Sequence, residues 1–260
     1  MLSVVIRNKN EEKDLRFLLE NLRRRYADDV DEIIVLDNLS TDGSRAVCEQ
    51  YGARLVTIEK FSYGGSANIG AREASHDIVV IFSAHSFPVS HDFFKLIKEK
   101  FAGREETLAG VRCLHNAHDY TAYIKEMKSE EAPNRAGLNF AGSAFNKRIW
   151  QKHPFREDVK TFEDKEWTMR MLRLGYDIEF APAIFSYFIH RTKKQLFFRF
   201  KSDLVGSYQL FHTNPTLGHA FKNLFDAAWI LTRNYFIDIY YMFRRFFFIL
   251  KFLANKPDRF

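Results

Sequence analysis

The chain has 260 residues, 46% of them hydrophobic and 28% charged, with 12 Gly and 6 Pro; this is enough for a real core and too poor in turn formers for a disordered, linker or collagen-like chain. Its two cysteines, Cys48 and Cys113, stand in no C-x-x-C spacing, which excludes a disulfide framework or a cysteine zinc site and fits a reducing compartment. The net charge of +6 sits at one end: residues 191–260 hold twelve Lys and Arg against four Asp and Glu, while residues 1–190 balance at −2.

Met1 runs straight into LSVVI without the basic, apolar and small-residue regions of a secretory leader, so a cytoplasmic location is expected. Residues 2–6 read as a buried strand, and residues 11–25 as a helix with Leu15, Leu18, Leu19 and Leu22 on one face. Apolar runs at 33–36, 55–58, 78–82 and 108–111 continue a βαβ rhythm. Runs of this kind belong to strands covered on both sides, so the expected fold is α/β, a doubly wound, mostly parallel sheet with flanking helices. Ligands of such sheets bind beyond the carboxyl ends of the strands, here residues 7–11, 37–43, 60–68 and 83–86.

Residues 114–139 are polar and irregular, as in a functional loop or lid. A strand-like FAGSAFN follows, then a helix over 163–174 closed by Gly175 as its C′ residue, and two strand pieces, DIEFA and AIFSYFIH. From Lys193 the sequence turns to aromatic-rich helices, so residues 1–192 are expected as one domain and 193–260 as a C-terminal helical module.

Three segments carry candidate chemistry. In EIIVLDNLSTDGS a strand delivers Asp37 to the crevice, where a carboxylate can accept from a nucleobase or ribose hydroxyl, and Thr41 or Asp42 can cap the next helix; a plain capped turn accounts for the same residues. In FSYGGSANIGAREASHDIVVIFSAHSFPVS the pair Gly64 and Gly65 lets backbone approach a ligand, and His85 ends the next strand as a metal ligand or a cation. Neither a G-x-G-x-x-G nor a G-x-x-x-x-G-K-[ST] pattern is present, which disfavours dinucleotide and Walker sites. In TFEDKEW the adjacent Glu163 and Asp164 point different ways, so one can be structural and the other a general base, unless Thr161 and Asp164 merely form a capping box. Trp167 offers a ring to an acceptor sugar, or simple core packing, with residues 114–139 alongside.

Taken in order, IRNKNEEKDL, EIIVLDNLSTDGS, the F-x-Y-G and N-x-G of FSYGGSANIG, SAHSFP, AFNKRIWQKHPF, EDKEW, GYDIEFAP and a terminal His190 resemble the inverting nucleotide-sugar glycosyltransferases of the GT-A fold, glycosyltransferase family 2, in a bacterial rhamnosyltransferase-like polysaccharide branch. The likeness covers residues 2–200. It implies that Arg7, Asn8 and Glu11 line the nucleotide pocket, that Asp37 meets the base, that Asn68 lies near the ribose or diphosphate, and that Asp164 is the catalytic base. Relatives carry Asp-x-Asp where this chain has Ser83, Ala84 and His85; Ser83 and Ala84 would then flank the donor, and His85 with His190 would hold a divalent metal. Nitrogen ligands favour Mn²⁺ over Mg²⁺.

The implied reaction moves a sugar from a UDP or dTDP donor to a saccharide or lipid-linked saccharide in bacterial surface polysaccharide synthesis; a catalytically silent nucleotide-sugar binding protein is the alternative. The basic tail calls for an anionic partner. Its wealth of Phe and Tyr favours an anionic membrane surface, at the inner face of the cell membrane, over nucleic acid. No stretch reaches the roughly 20 apolar residues of a spanning helix, because Asp226, Arg233, Asp238 and Lys251 interrupt the most apolar runs. Packing of the same aromatics on the catalytic domain, or on a second copy in a homo-oligomer, is the competing arrangement.

Overall fold

The computed structural model describes residues 1–189 and 191–258. They form two compact units, Met1–Phe211 and His212–Phe260. Among the described residues the first unit contains β1 (Leu2–Asn8), α1 (Glu12–Arg25), β2 (Glu32–Asp37), α2 (Ser44–Tyr51), β3 (Arg54–Thr57), α3 (Tyr63–Glu73), β4 (Ile78–Ser83), β5 (Ser86–Pro88), α4 (Phe93–Phe101), β6 (Leu108–Leu114), α5 (Ala117–Ile124), α6 (Pro133–Ala136), β7 (Ala144–Asn146), α7 (Lys147–Lys152), α8 (Glu163–Arg173), β8 (Asp177–Tyr187) and α9 (Lys193–Phe211). The second holds one long helix, α10 (Leu217–Ala254).

The strands form one sheet in the order β3-β2-β1-β4-β7-β6-β8-β5. The β3-β2-β1-β4 half is parallel, as expected, whereas β7 runs antiparallel to both neighbours and β5 antiparallel to β8. Helices cover both faces because side chains alternate along each strand. Val4 and Ile6 face one core with Leu15, Leu18 and Leu19 of α1 and Phe93 and Phe94 of α4. Val5 faces the other, with Ala67 and Ala71 of α3, Trp150 of α7 and Trp167 of α8. Full burial of each such aliphatic side chain is worth about 1.5–3 kcal/mol.

Strand order reverses direction between β1 and β4, which opens the crevice where ligands of such sheets bind. Register brings Asn8 level with Asp37, Asp37 level with Thr57, and Arg7 level with Ser83. The C-terminal tips of all four parallel strands therefore share one edge.

Three expectations about organisation change. The two strand-like pieces DIEFA and AIFSYFIH are not separate: one strand, β8, runs through Asp177–Tyr187. The polar stretch 114–139 is no bare loop: it folds into α5 and α6 over a small core of Leu114, Ala122, Ala136 and Phe180. The compact boundary falls at 211/212 rather than 192/193, so α9 belongs with the sheet. Close packing explains this last point. A Cβ on Gly206 of α9 would lie 2.6 Å from Thr161 Cγ2, and the Phe211 ring lies 5.9 Å from that of Phe162.

Candidate active site

The first wall of the crevice is stitched from the β1–α1 and β2–α2 turns. Asp37 is buried and accepts from Asn8 Nδ2 at 2.8 Å and from the Ser40 amide at 2.9 Å. Asn10 accepts from the Thr41 amide, Glu12 from the Gly43 amide, and Asp42 from the Glu12 and Ser44 amides. The N-cap of α2 is Gly43, with no side-chain cap, so neither Thr41 nor Asp42 caps this helix; Asp42 instead ties the Glu12 and Ser44 amides together. Glu11 is half-buried at the mouth, its carboxyl pushed up by burial and by Asp14.

Arg7 and the first turn of α8 form the floor. The Arg7 guanidinium donates to Glu163 Oε1 at 3.0 Å and to the Tyr63 carbonyl at 2.9 Å, and lies 5.8 Å from the ring centres of both Tyr63 and Phe140. Both ends of its fork are committed to protein, so Arg7 fixes Glu163 where direct donor contact was expected. Burial pushes the Glu163 carboxyl up to about 7, against the pull of Arg7 and with help from Asp164.

Next to it, Asp164 is half-buried and accepts from the Phe140 amide at 3.1 Å and from the Lys165 amide at 2.8 Å. Glu163 is thus buried and paired, while Asp164 keeps part of its surface open. The capping-box alternative does not form, because Phe162 is the N-cap residue and no side chain caps α8. Phe162 itself holds a left-handed φ of 66°, a conformation that costs a bulky residue energy and clusters at functional sites.

The far wall joins β4 to β8. Ser83 is half-buried, Ala84 is buried with its amide on the Arg7 carbonyl, and His85 follows. The His85 ring lies 5.2 Å from that of Tyr187, whose hydroxyl accepts from Arg191 at 2.8 Å. Burial, reinforced by Arg191, pushes the His85 imidazole down toward its neutral form. His190 lies outside the described residues.

Of the buried side-chain polar atoms among the described residues, four have no hydrogen-bond partner: Arg7 Nε, Asn8 Oδ1, His85 Nδ1 and Arg112 Nε. Three of these belong to the tips of β1 and β4. Natural proteins leave few buried polar groups unpaired, and these three lie at the strand-tip edge where ligands of such sheets bind.

Sequence reasoning misplaced three groups. Asn68 does not face a donor: Nδ2 donates to the Phe155 carbonyl and Glu157 Oε1, and Oδ1 accepts from Trp150 Nε1 and the Phe155 amide. All four of its hydrogen-bonding positions are filled, so it clamps α3 to the 150–157 segment. Trp167 is fully buried, with its Nε1 on the His153 carbonyl, and cannot stack on an acceptor sugar. Gly64 makes room for protein, since a Cβ there would sit 2.0 Å from the Arg156 carbonyl oxygen.

It also passed over residues that the fold brings in. Lys165 is buried, donates to the Gly137 and Leu138 carbonyls, and is pushed down to about 7 by burial and by Arg112. His115 stacks on Phe185 at 5.2 Å and pairs with Asp119 at 2.5 Å. Only the position of Lys165 inside EDKEW hinted at its part.

The family model described as Glycosyl transferase family 2 matches residues 3–180. A curated relative from Methanococcus voltae, a dolichyl N-acetyl-alpha-D-glucosaminyl phosphate 3-beta-D-2,3-diacetamido-2,3-dideoxy-beta-D-glucuronosyltransferase, is 25% identical over 224 residues, covering 76% of this chain and 70% of its own. An uncharacterized glycosyltransferase of Mycobacterium bovis is 28% identical over 116 residues, 42% of this chain and 51% of that protein.

Among solved structures, the mannosyltransferase of Pyrobaculum calidifontis with GDP-Man and Mn²⁺ superposes with a TM-score of 0.64 at 17% identity, over 84% of this chain and 66% of that one. Glucosyl-3-phosphoglycerate synthase of Mycobacterium tuberculosis with Mn²⁺, UDP and glucosyl-3-phosphoglycerate superposes at 0.58 and 19% identity, over 84% and 82%. At such identities the likeness establishes the GT-A fold. The match over residues 3–180 spans more than half of the chain, which therefore belongs to glycosyl transferase family 2.

Proposed function

We propose that the protein is an inverting glycosyltransferase that moves a sugar from a nucleoside diphosphate donor, a UDP or dTDP sugar of rhamnose-like or other hexosyl type, to a saccharide or lipid-linked saccharide. The observation that carries this reading is the Arg7–Glu163 pair, which sets the turn bearing the half-buried Asp164 at the strand-tip edge where Asn8 Oδ1 and His85 Nδ1 have no partner.

Asn8, Glu11 and Asp37 would receive the nucleoside, since Asp37 retains accepting capacity beyond its two intramolecular bonds. Ser83 and Ala84 would flank the diphosphate. Asp164 takes the proton of the acceptor hydroxyl as that oxygen attacks the anomeric carbon; the bond to the diphosphate breaks on the opposite face and the anomeric configuration inverts. General-base assistance of this kind is worth about 10²- to 10⁴-fold. Glu163 and Arg7 hold the turn that aims Asp164.

The family implies a divalent cation at the diphosphate. No group of three metal-ligating side chains occurs among the described residues, but the unpartnered Nδ1 of His85 fits a site in which donor oxygens supply other ligands. His85 and His190 would hold Mn²⁺ or Mg²⁺, which when bound offsets negative charge on the leaving diphosphate.

The acceptor reading and the basic, aromatic tail together support work at the cytoplasmic face of a membrane in surface polysaccharide synthesis. A thermal-shift panel of nucleotide sugars, with Mn²⁺ and with chelator, tests donor and metal together. One UDP or dTDP sugar should raise Tm, and Asp164→Asn should keep that shift while losing transfer. A shift with neither transfer nor donor hydrolysis in the unsubstituted protein would instead identify a silent nucleotide-sugar binding protein.

A further inference from the structure

The second unit consists of one uninterrupted helix of 38 residues, none of them buried, with Thr216 accepting from the His219 amide as its N-cap. At about 1.5 Å per residue it is about 57 Å long, nearly twice the hydrocarbon thickness of a bilayer. A helix this rich in aromatics needs something to cover it.

Placed at about 100° per residue, its side chains separate into unequal faces. Phe221, Phe225, Phe236, Phe243, Phe246 and Leu250 fall within an apolar arc of about 160° that runs the whole length, and all are exposed. Lys222, Arg233, Arg244 and Lys251 line up as a stripe along one border of that arc. Ile237, Phe248 and Phe252 lie apart from the arc, on the opposite and otherwise more polar face.

Charge selects the occupant. The helix holds five Lys and Arg against two Asp, Asp226 and Asp238, and one of those Asp residues is already paired, at 3.3 Å, with Lys222. An antiparallel second copy of the same helix would set the cationic stripe against itself. No helix among the described residues is long and apolar enough to cross a membrane. An apolar arc bordered by cations matches the boundary between acyl chains and anionic headgroups.

We infer that α10 lies in the plane of an anionic lipid bilayer, its apolar arc sunk among the acyl chains and its Lys and Arg stripe at the headgroups. This deepens the membrane partner of the proposed function and rests on that reading, but it stands or falls without the chemistry of Asp164. Trp229 supplies the probe: it is exposed on α10, while Trp150 and Trp167 are buried in the first unit.

The experiment is flotation of the full chain with vesicles of phosphatidylcholine alone or mixed with phosphatidylglycerol, together with quenching of tryptophan emission by lipids brominated on the acyl chain. The full chain should float with the mixed vesicles and its emission should be quenched. Phe225→Asp with Phe236→Asp and Phe243→Asp should abolish both, leaving transfer to a soluble acceptor unchanged. Arg233→Gln with Arg244→Gln should weaken binding about 30-fold, at about fivefold per cation. Failure to float would overturn the inference. So would flotation without acyl-chain quenching, which means charge attraction alone, or a concentration-dependent dimer in vesicle-free buffer that buries Trp229. Loss of transfer in the unsubstituted protein would count against the transferase reading only.

Discussion

Arg7 Nη1 lies 3.0 Å from Glu163 Oε1, joining the tip of β1 to the first turn of α8 across 156 residues of sequence. Both side chains are buried, so the pair is shielded from salt and its geometry is held by the surrounding protein. It fixes the turn that carries Asp164.

Glu163 leaves a pH signature. Because its carboxyl is raised from 4.5 to about 7, the native state binds a proton more tightly than the unfolded chain in that interval. The stability it contributes is complete below about pH 4.5 and is lost as pH rises through about 7. Urea unfolding across this window should show that decline in the unsubstituted protein and a flatter profile in Glu163→Gln. Arg7→Met, which removes one partner of a buried pair, should cost about 3–5 kcal/mol near pH 8, where Glu163 must stay charged without its cation or take up a proton, and less near pH 5.

Asp164→Asn keeps one oxygen, enough for the Phe140 or the Lys165 amide but not both, and cannot take a proton. Turnover should fall by about 10²- to 10⁴-fold, at a cost in unfolding free energy of about 1–3 kcal/mol for the amide left without an acceptor. Turnover near normal with purified donor and acceptor would move the base elsewhere.

Asn68 should behave as a structural residue. Asn68→Ala strands the Trp150 indole and the Phe155 amide and carbonyl in a buried setting, at about 1–3 kcal/mol for each unsatisfied group. A loss of at least about 3 kcal/mol in denaturant unfolding, with donor affinity of the folded fraction unchanged by calorimetry, is the expected result. A specific loss of donor affinity at intact stability would restore the role that its sequence position implied.

The Arg112, His115 and Asp119 cluster anchors α5. Against burial, which pushes it up, hydrogen bonds from His115 and Arg112 hold the Asp119 carboxyl down at about 2, from an ordinary 3.8. That stability is present above about pH 3.8 and lost as pH falls through about 2. Acid titration followed by circular dichroism should therefore show a shallower loss of structure between these limits in Asp119→Asn, from a lower starting stability.

What one could read in the chain itself was whatever depends on near neighbours and on the order of motifs. The apolar runs gave β1, β2, β4 and β6, the leucines at helical spacing gave α1, and Gly175, with a left-handed φ of 84°, closed α8. The ordered motifs gave the family, and TFEDKEW gave two carboxylates with different surroundings.

Tertiary structure decided which polar group faces a ligand and which faces protein. Asn68 meets Trp150 and Phe155 from 82 and 87 positions away, and Gly64 meets the Arg156 carbonyl, contacts that no local pattern encodes. Whether a side chain is satisfied internally depends on donors and acceptors brought in by distant segments, and the cost of an unpaired buried group then fixes its role. The same rule let Trp167 enter the core with its indole N–H on the His153 carbonyl, while close packing at Gly206 and Phe211 joined α9 to the first unit.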